Sequence, residues 1–271
     1  MAWRFKASKY KNAAPLEPKL DLHIRDLAIG SYHSCGNFIA SSAAFIAFNW
    51  DSLGSSLAVL PLSAKGRPDK AAIPRIDGHS SLVTDFAFSP HDDGLLATGS
   101  QDQTVKVWRV PRSGLQGNLT VPEVALPEQP RRVETVSWHP TAEALLASSS
   151  GTGVSLWDLT VGQQAWSHAG HGDQVQAVAW QWQGGLLATQ AKDRTLRVLD
   201  PRAETTAAQT KSHDGIKDSK VTSPRPPQAH SMLLCVSVKS VNKSTPFQKC
   251  ICFGAVSREN SEGQIEESST H

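Results

Sequence analysis

The chain has 271 residues, with 27 lysines and arginines, 25 acidic residues and four cysteines. A net charge of only +2 argues against a nucleic-acid partner, because nucleic-acid-binding proteins concentrate positive charge. The few cysteines, and the lack of any apolar run near the roughly 20 residues of a spanning helix, exclude a disulfide framework and a transmembrane segment. Since the charged first residues do not resemble a secretory signal, we expect a cytoplasmic protein whose membrane association, if any, is peripheral.

The chain begins with a basic segment in which aromatic residues are interleaved. Arg4, Lys6, Lys9 and Lys11 all precede the first acidic residue, Glu17. Such a run can contact an acidic protein surface or a layer of anionic lipid headgroups. It can equally be a solvated terminus whose aromatic side chains pack against the rest of the protein. The two interpretations stay open.

Strand-like runs begin after this segment. Residues 37–40, 44–48 and 57–62 are apolar and β-prone, and turn-forming residues separate them. Three longer stretches then follow as imperfect copies of one another. Gly78-His79 opens the first copy and Gly170-His171 the third. Each copy has an apolar inner strand, a Leu-Leu-Ala second strand and a third strand that ends in or near Trp or Asp.

A unit of roughly 40–45 residues with Gly-His early and Trp-Asp late is typical of a WD-repeat β-propeller blade. We therefore predict an all-β fold: a partial WD-repeat β-propeller of about four blades with a disordered C-terminal tail. The expected blades are 37–77, 79–127, 130–167 and 171–212. They follow an N-terminal segment, 1–36, and precede the start of an incomplete fifth blade, 213–221, and a non-repeat tail, 222–271.

The tail is expected to be disordered because the repeat stops abruptly. Ser223–Pro227 breaks regular structure, and residues 258–271 are polar and rich in Ser and Glu. Beyond Thr222 we expect no second strand pair, although Met232–Val238 is one β-prone run.

The first copy carries a His, a hydroxyl residue, an Asp and a Trp at fixed positions, and the other two copies carry part of this set. This set resembles a nucleophilic triad, but the repeat explains it better as a hydrogen-bonded network that holds one blade together. Leu199 replaces the Trp of the third copy. The middle copy lacks both the His and the Asp, so it should be the loosest. The network residues are His79, Thr98, Asp102 and Trp108; Ser148 and Trp157; and His171, Thr189 and Asp193.

No other motif indicates catalysis or a cofactor. His91-Asp92-Asp93 could be imagined as a metal site, but its composition is typical of a turn. Cys250-Ile251-Cys252 lacks a second ligand pair at zinc spacing. The sequence contains no glycine-rich phosphate loop. We therefore predict a protein that is not an enzyme, with no metal, no cofactor and no catalytic residue.

Several segments resemble the coronin family. The run from Arg4 to Lys11 is similar to the basic N-terminal signature of coronins. Segments 57–70, 88–111 and 191–202 are similar to the first, second and fourth coronin blades. Among coronins, the long members with two propellers in tandem are the most similar. The resemblance covers residues 3 to about 221 and does not extend into 222–271.

The resemblance implies a non-enzymatic scaffold that links the actin cytoskeleton to membrane traffic at the Golgi and trans-Golgi network and to the organisation of the Golgi. It also implies a location on the cytosolic face of these membranes and their vesicles. It also implies a seven-bladed ring, of which four blades would leave an open face at the fourth, unless the tail or another chain covers it. In short coronins an arginine that follows the N-terminal signature contributes to filament binding. Arg25 is the candidate here, since 26–38 contains no Lys or Arg. The candidate contacts with F-actin or another acidic partner are Arg4, Lys6, Lys9, Lys11 and Arg25.

Two other functions stay open. One is a generic WD-repeat adaptor, for example a substrate receptor or an assembly subunit of a ubiquitin ligase. The other is a truncated isoform that does not fold stably and has little activity of its own.

Overall fold

The computed structural model describes residues 23–30, 34–50, 53–212, 219–222, 232–237 and 250–255. Within these ranges every regular secondary-structure element is a β-strand. The first sixteen strands form four antiparallel sheets of four strands each. This confirms the predicted all-β fold class. Within the same ranges, no helix is long and apolar enough to cross a membrane.

In each of these four sheets the strands are adjacent in chain order, and each strand pairs antiparallel with the one before it. The first sheet contains β1 (Ile39–Ser41), β2 (Phe45–Trp50), β3 (Ser56–Pro61) and β4 (Arg75–Ile76), and the second contains β5 (Val83–Phe88), β6 (Leu95–Ser100), β7 (Val105–Arg109) and β8 (Val124–Ala125). The third sheet contains β9 (Val133–Trp138), β10 (Leu145–Ser150), β11 (Gly153–Asp158) and β12 (Gln163–His168). The fourth sheet contains β13 (Val175–Trp180), β14 (Leu187–Ala191), β15 (Thr195–Asp200) and β16 (Thr205–Lys211).

The sheets pack face to face through apolar clusters. Phe45 and Leu57 of the first sheet contact a cluster with Phe86 and Trp108 of the second. Equivalent clusters join the second sheet to the third and the third to the fourth. The innermost strands β1, β5, β9 and β13 are neighbours in that order, which is the arrangement of propeller blades.

The segment after the fourth sheet differs from the expectation of a tail without paired strands. Strands β17 (Ser219–Thr222), β18 (Met232–Ser237) and β19 (Cys250–Ala255) form a fifth, antiparallel sheet. Two of these strands, at 232–237 and 250–255, lie in the segment 222–271 that was expected to be a non-repeat tail. The physical reason is that β17 leaves an unpaired edge, to which the β-prone run 232–237 can add. The remainder of 213–271 lies outside the described residues.

The fifth sheet covers the face of the fourth that was expected to be open. Strand β17 lies beside β13 and β14, and Val221 packs with Ala177, Leu196 and Val198 of the fourth sheet. These residues are on the opposite face from those that contact the third sheet. Most of β17 lies in the segment that was expected to begin an incomplete fifth blade, 213–221, and this strand covers the face of the fourth sheet.

The second to fifth sheets, together with residues 35–37 that lead into the first sheet, line a cavity of about 430 Å³. At this cavity the Nζ of Lys220 donates hydrogen bonds to the Gly36 carbonyl oxygen at 3.2 Å and to Asn37 Oδ1 at 3.3 Å. These residues are more than 180 positions apart in the sequence. The contact joins the fifth sheet to the residues that lead into the first.

Asp85 links the second and third sheets to the segment that leads into the first. Its carboxylate accepts hydrogen bonds from the backbone N–H of Asn37 in that segment (2.7 Å), of Phe86 in the second sheet (3.0 Å) and of Val136 in the third (2.9 Å). The side chain is buried. Burial raises the pKa of Asp85 from 3.8 to about 6, although the hydrogen bonds from Val136, Asn37 and Phe86 oppose the change.

The raised pKa predicts how Asp85→Asn will behave. The substitution should destabilise the protein, because an amide NH₂ would face backbone N–H donors. A group with a raised pKa binds its proton more tightly in the folded state, so its stabilising contribution is full below about pH 4 and is lost as the pH rises through about 6. The loss of unfolding free energy caused by Asp85→Asn should therefore be greater at pH 4.5 than at pH 7, by about 1–3 kcal/mol.

Urea denaturation of both proteins at the two pH values measures this difference. All other titrating groups are shared and cancel in the comparison. An equal loss at both pH values would show that Asp85 titrates as an ordinary carboxyl group.

Candidate functional site

The second sheet contains a buried hydrogen-bonded chain that starts at Trp108. Trp108 Nε1 donates to Thr98 Oγ1 at 2.9 Å, and Thr98 Oγ1 lies 2.7 Å from His79 Nε2. His79 Nδ1 lies 2.9 Å from Asp102 Oδ2. The structure thus brings together the four residues that the repeat singled out. The contacts are those of a hydroxyl–imidazole–carboxylate relay.

This relay is closed to any substrate. Thr98 and Trp108 are both 0% exposed, so no reacting group can approach the hydroxyl. Burial alone would raise the pKa of Asp102, but hydrogen bonds from His79 and Thr104 outweigh burial and lower the pKa well below its usual value. An ionised carboxylate therefore anchors the imidazole, and the network holds the strands of the sheet together.

The fourth sheet repeats the arrangement without its last member. His171 Nε2 lies 2.8 Å from Thr189 Oγ1, and Nδ1 lies 3.2 Å from Asp193 Oδ2. Burial lowers the pKa of His171. Burial alone would raise the pKa of Asp193, but hydrogen bonds from Thr195, Gly172 and His171 lower it to about 2. The Leu199 side chain packs in the apolar core and has no hydrogen-bond donor. Thr189 therefore lacks the bond that Thr98 accepts from Trp108.

In the third sheet the sequence analysis missed Gln129. Trp157 Nε1 donates to Ser148 Oγ at 2.8 Å, and Gln129 Nε2 donates to the same oxygen at 3.0 Å. Gln129 is buried and takes the place of the missing histidine. Its position was a usable signal, because it precedes Ser148 by 19 residues, the same separation as His79 from Thr98.

The turn at 91–93 ties neighbouring sheets together. His91 Nε2 donates to the His139 carbonyl oxygen at 3.1 Å, and Asp93 Oδ1 accepts from the Ala43 backbone N–H at 2.9 Å. Asp92 forms an ion pair of 2.7 Å with Arg109. Among the residues that the structure describes, no group of three or more His, Cys, Asp or Glu could hold a metal ion.

The first sheet carries an exposed basic surface. The backbone N–H of Arg25 donates to the Gly66 carbonyl oxygen at 2.9 Å, and the Gly66 N–H donates to the His23 carbonyl oxygen at 2.8 Å. This pairing places the exposed Arg25 beside the β3–β4 loop, whose own basic residues are also exposed. We call this set the first-sheet basic surface; its members are Arg25, Lys65, Arg67 and Lys70.

One ion pair partly offsets this positive charge. Arg67 Nε lies 2.7 Å from Asp26 Oδ2, and both side chains are at least half exposed, so the pair contributes little to stability. Four basic residues therefore face two acidic neighbours, Asp26 and Asp69. Of the predicted contacts, only Arg25 is part of this surface; Arg4, Lys6, Lys9 and Lys11 lie outside the described residues. The three basic residues of the loop were missed because only the fold brings them next to Arg25.

Comparison with known proteins identifies the family. A profile described as a domain of unknown function, DUF1899, matches residues 3–67, and the WD domain, G-beta repeat, matches 72–109 and 162–200. Coronin-7 of Bos taurus is 43% identical over 219 residues, which are 80% of this chain and 24% of that protein. The WD40 domain of a Toxoplasma gondii coronin superposes with a TM-score of 0.69 at 25% identity, over 88% of this chain and 61% of that one.

The chain belongs to the coronin family. It spans about a quarter of the length of the Coronin-7 relatives that it matches. Villidin of Dictyostelium discoideum is also similar, with 35% identity over 226 residues, 79% of this chain and 13% of that protein. The two WD matches fall on the second and fourth sheets, and most of the third sheet lies between them, in keeping with its altered network.

The coronin blade network predicts the effect of Trp108→Ala. The substitution removes a fully buried indole and the donor to Thr98, so the free energy of unfolding should fall by about 3–5 kcal/mol. Trp166→Ala on the half-buried outer strand β12 is the matched control and should cost less. Thermal and urea denaturation measure both variants. A melting curve unchanged by Trp108→Ala would contradict the position assigned to this side chain.

Proposed function

We propose that this chain is a non-enzymatic coronin-type WD-repeat scaffold that binds actin filaments through the first-sheet basic surface. The observation that carries the proposal is the exposed cluster of four basic side chains beside two acidic ones, on the blade that follows the coronin N-terminal segment. An acidic filament attracts such a surface, and the attraction is strongest at low ionic strength. We include Arg4, Lys6, Lys9 and Lys11 as further contacts, since they precede this blade in the sequence.

The buried networks support a scaffold rather than an enzyme. In the second and fourth sheets, the hydroxyl groups that could act as nucleophiles, Thr98 and Thr189, are completely buried. Their hydrogen bonds are already made within their own sheets. A propeller with such a core offers its turns and strand edges to partners, while its interior only supports them.

We place the scaffold on the cytosolic face of Golgi and trans-Golgi membranes, where it would link actin to protein transport. This part of the proposal rests on the resemblance to the long coronins, and the similarity to Coronin-7 relatives supports it. Association with the membrane would be peripheral, through protein partners or through basic residues near anionic lipids.

Co-sedimentation with F-actin tests the basic surface. Lys65→Glu combined with Lys70→Glu should lower the affinity by about tenfold at low salt, because two attractive charges become repulsive. The difference should shrink as salt is raised. Arg112→Glu combined with Arg202→Glu changes the same total charge on exposed positions elsewhere and is the matched control. Equal affinities of the two double variants would contradict the assignment of this surface.

Fluorescence imaging tests the cellular location. The tagged full chain should overlap with a trans-Golgi marker and redistribute when actin filaments are depolymerised. The tag alone serves as the control. A diffuse distribution that does not respond to depolymerisation would contradict the Golgi role, whereas the actin contact would still be judged by co-sedimentation.

A further inference from the structure

A second surface is formed by residues of the second, third and fourth sheets and their connections, and it shares no residue with the first-sheet basic surface. There a cleft of about 640 Å³ opens between the β6–β7 turn, the β10–β11 turn and the segment that leads into β13. The β6–β7 turn contains four residues and the β14–β15 turn three, but the β10–β11 turn contains only two, Gly151 and Thr152. The shorter turn leaves a depression between its taller neighbours.

The short turn and the altered network of the third sheet have one origin. In the second and fourth sheets an aspartate in the longer turn bonds to the histidine of the network. In the third sheet Gln129 stands in place of the histidine, and no aspartate is needed in the turn. The β10–β11 turn therefore carries no aspartate, and Arg131 lies beside it.

Arg131 is held firmly at the base of its side chain. Its backbone N–H donates to Ser150 Oγ at 3.2 Å, and Ser150 Oγ donates to the Arg131 carbonyl oxygen at 2.7 Å. Its methylene carbons lie over Gly151, where an added Cβ would come within 3.0 Å of Arg131 Cδ. Gly151 has a φ of 57°, a backbone conformation that favours glycine.

The guanidinium group of Arg131 has no hydrogen-bond or ion-pair partner within the part of the chain that the structure describes. The other charged residues of the cleft each make a contact within it. Arg132 Nε lies 2.5 Å from Glu134 Oε1, and the Asp173 carboxylate accepts from the Gln174 backbone N–H at 2.6 Å. Of the two arginines that line the cleft, Arg131 is therefore the one whose guanidinium is not paired with a carboxylate.

The balance of positive and negative charges in the cleft indicates which class of partner it can bind. Arg131 and Arg132 are matched in number by Glu134 and Asp173, so the cleft as a whole does not attract a polyanion such as RNA or a charged membrane. One free guanidinium offers a fork of donors that suits a single carboxylate. The amide side chains of Gln101 and Gln103 also line the cleft and can pair with peptide N–H and C=O groups.

We propose that this cleft binds an extended peptide segment of a partner protein, and that Arg131 contacts an acidic side chain of that segment. The site is independent of actin binding, since it is built by different sheets from different residues. It gives the scaffold a second contact on a separate surface, so that one chain can hold two partners at once.

Nuclear magnetic resonance titration of the ¹⁵N-labelled full chain tests the proposal. The probe is an acetylated and amidated pentapeptide with one central glutamate between glycines, and its glutamine counterpart is the control ligand. The glutamate peptide should shift the amide signals of Gly151, Thr152 and Gly172. It should bind at least about tenfold more tightly than the glutamine peptide, as expected for a charge-assisted pair.

Arg131→Gln should abolish this tenfold preference, whereas Arg112→Gln, an exposed arginine elsewhere, should leave it unchanged. Circular dichroism verifies that both variants keep the fold. Equal binding of the two peptides, shifts located at other residues, or no shift at millimolar peptide would overturn the proposal. Equal shifts with inorganic phosphate would also overturn it, since the site would then bind anions in general.

Discussion

The fold depends on sheets that bury both of their faces. In the second sheet Phe86 and Trp108 pack towards the first sheet, while Ala97 and Val105 pack towards the third. Because successive residues of a strand point to opposite faces, strands β5, β6 and β7 of the second sheet each contribute to two apolar clusters. A single sheet of this kind would leave one apolar face in water, so its stability depends on its neighbours. This requirement also explains why the fifth sheet matters to the fourth.

Buried polar groups form hydrogen bonds within and between the packed sheets. The His79–Thr98–Trp108 chain spans the strands of one sheet, whereas Asp85 joins the second and third sheets and the segment before the first through backbone N–H groups. Buried groups with satisfied hydrogen bonds specify how sheets are arranged, and an unsatisfied one would be costly. The side chains that resemble a catalytic set, such as His79 and Thr98, therefore have structural roles, and the turns and loops are the surfaces that remain for binding.

Two such surfaces differ in their chemistry. The first-sheet basic surface gathers four exposed cations and suits an acidic filament through long-range attraction. The cleft beside Arg131 is neutral as a whole and presents one free guanidinium, which suits a particular acidic side chain at short range. A scaffold with two unlike surfaces can bring together partners of different kinds without catalysing a reaction.

The sequence by itself determined the sheets and their networks, because both follow from local patterns. Alternating apolar runs mark the strands, and the repeat places Thr98 and Thr189 opposite their histidines. Only the tertiary structure decided three other features: the fifth sheet, the role of Gln129, and the meeting of Arg25 with the loop around Gly66. Pairing between β17 and β18, like the contact of Arg25 with Gly66, joins segments whose separate sequences carry no common pattern. Gln129 was missed because a glutamine does not resemble the histidine whose position it takes, although its spacing from Ser148 matches that of His79 from Thr98.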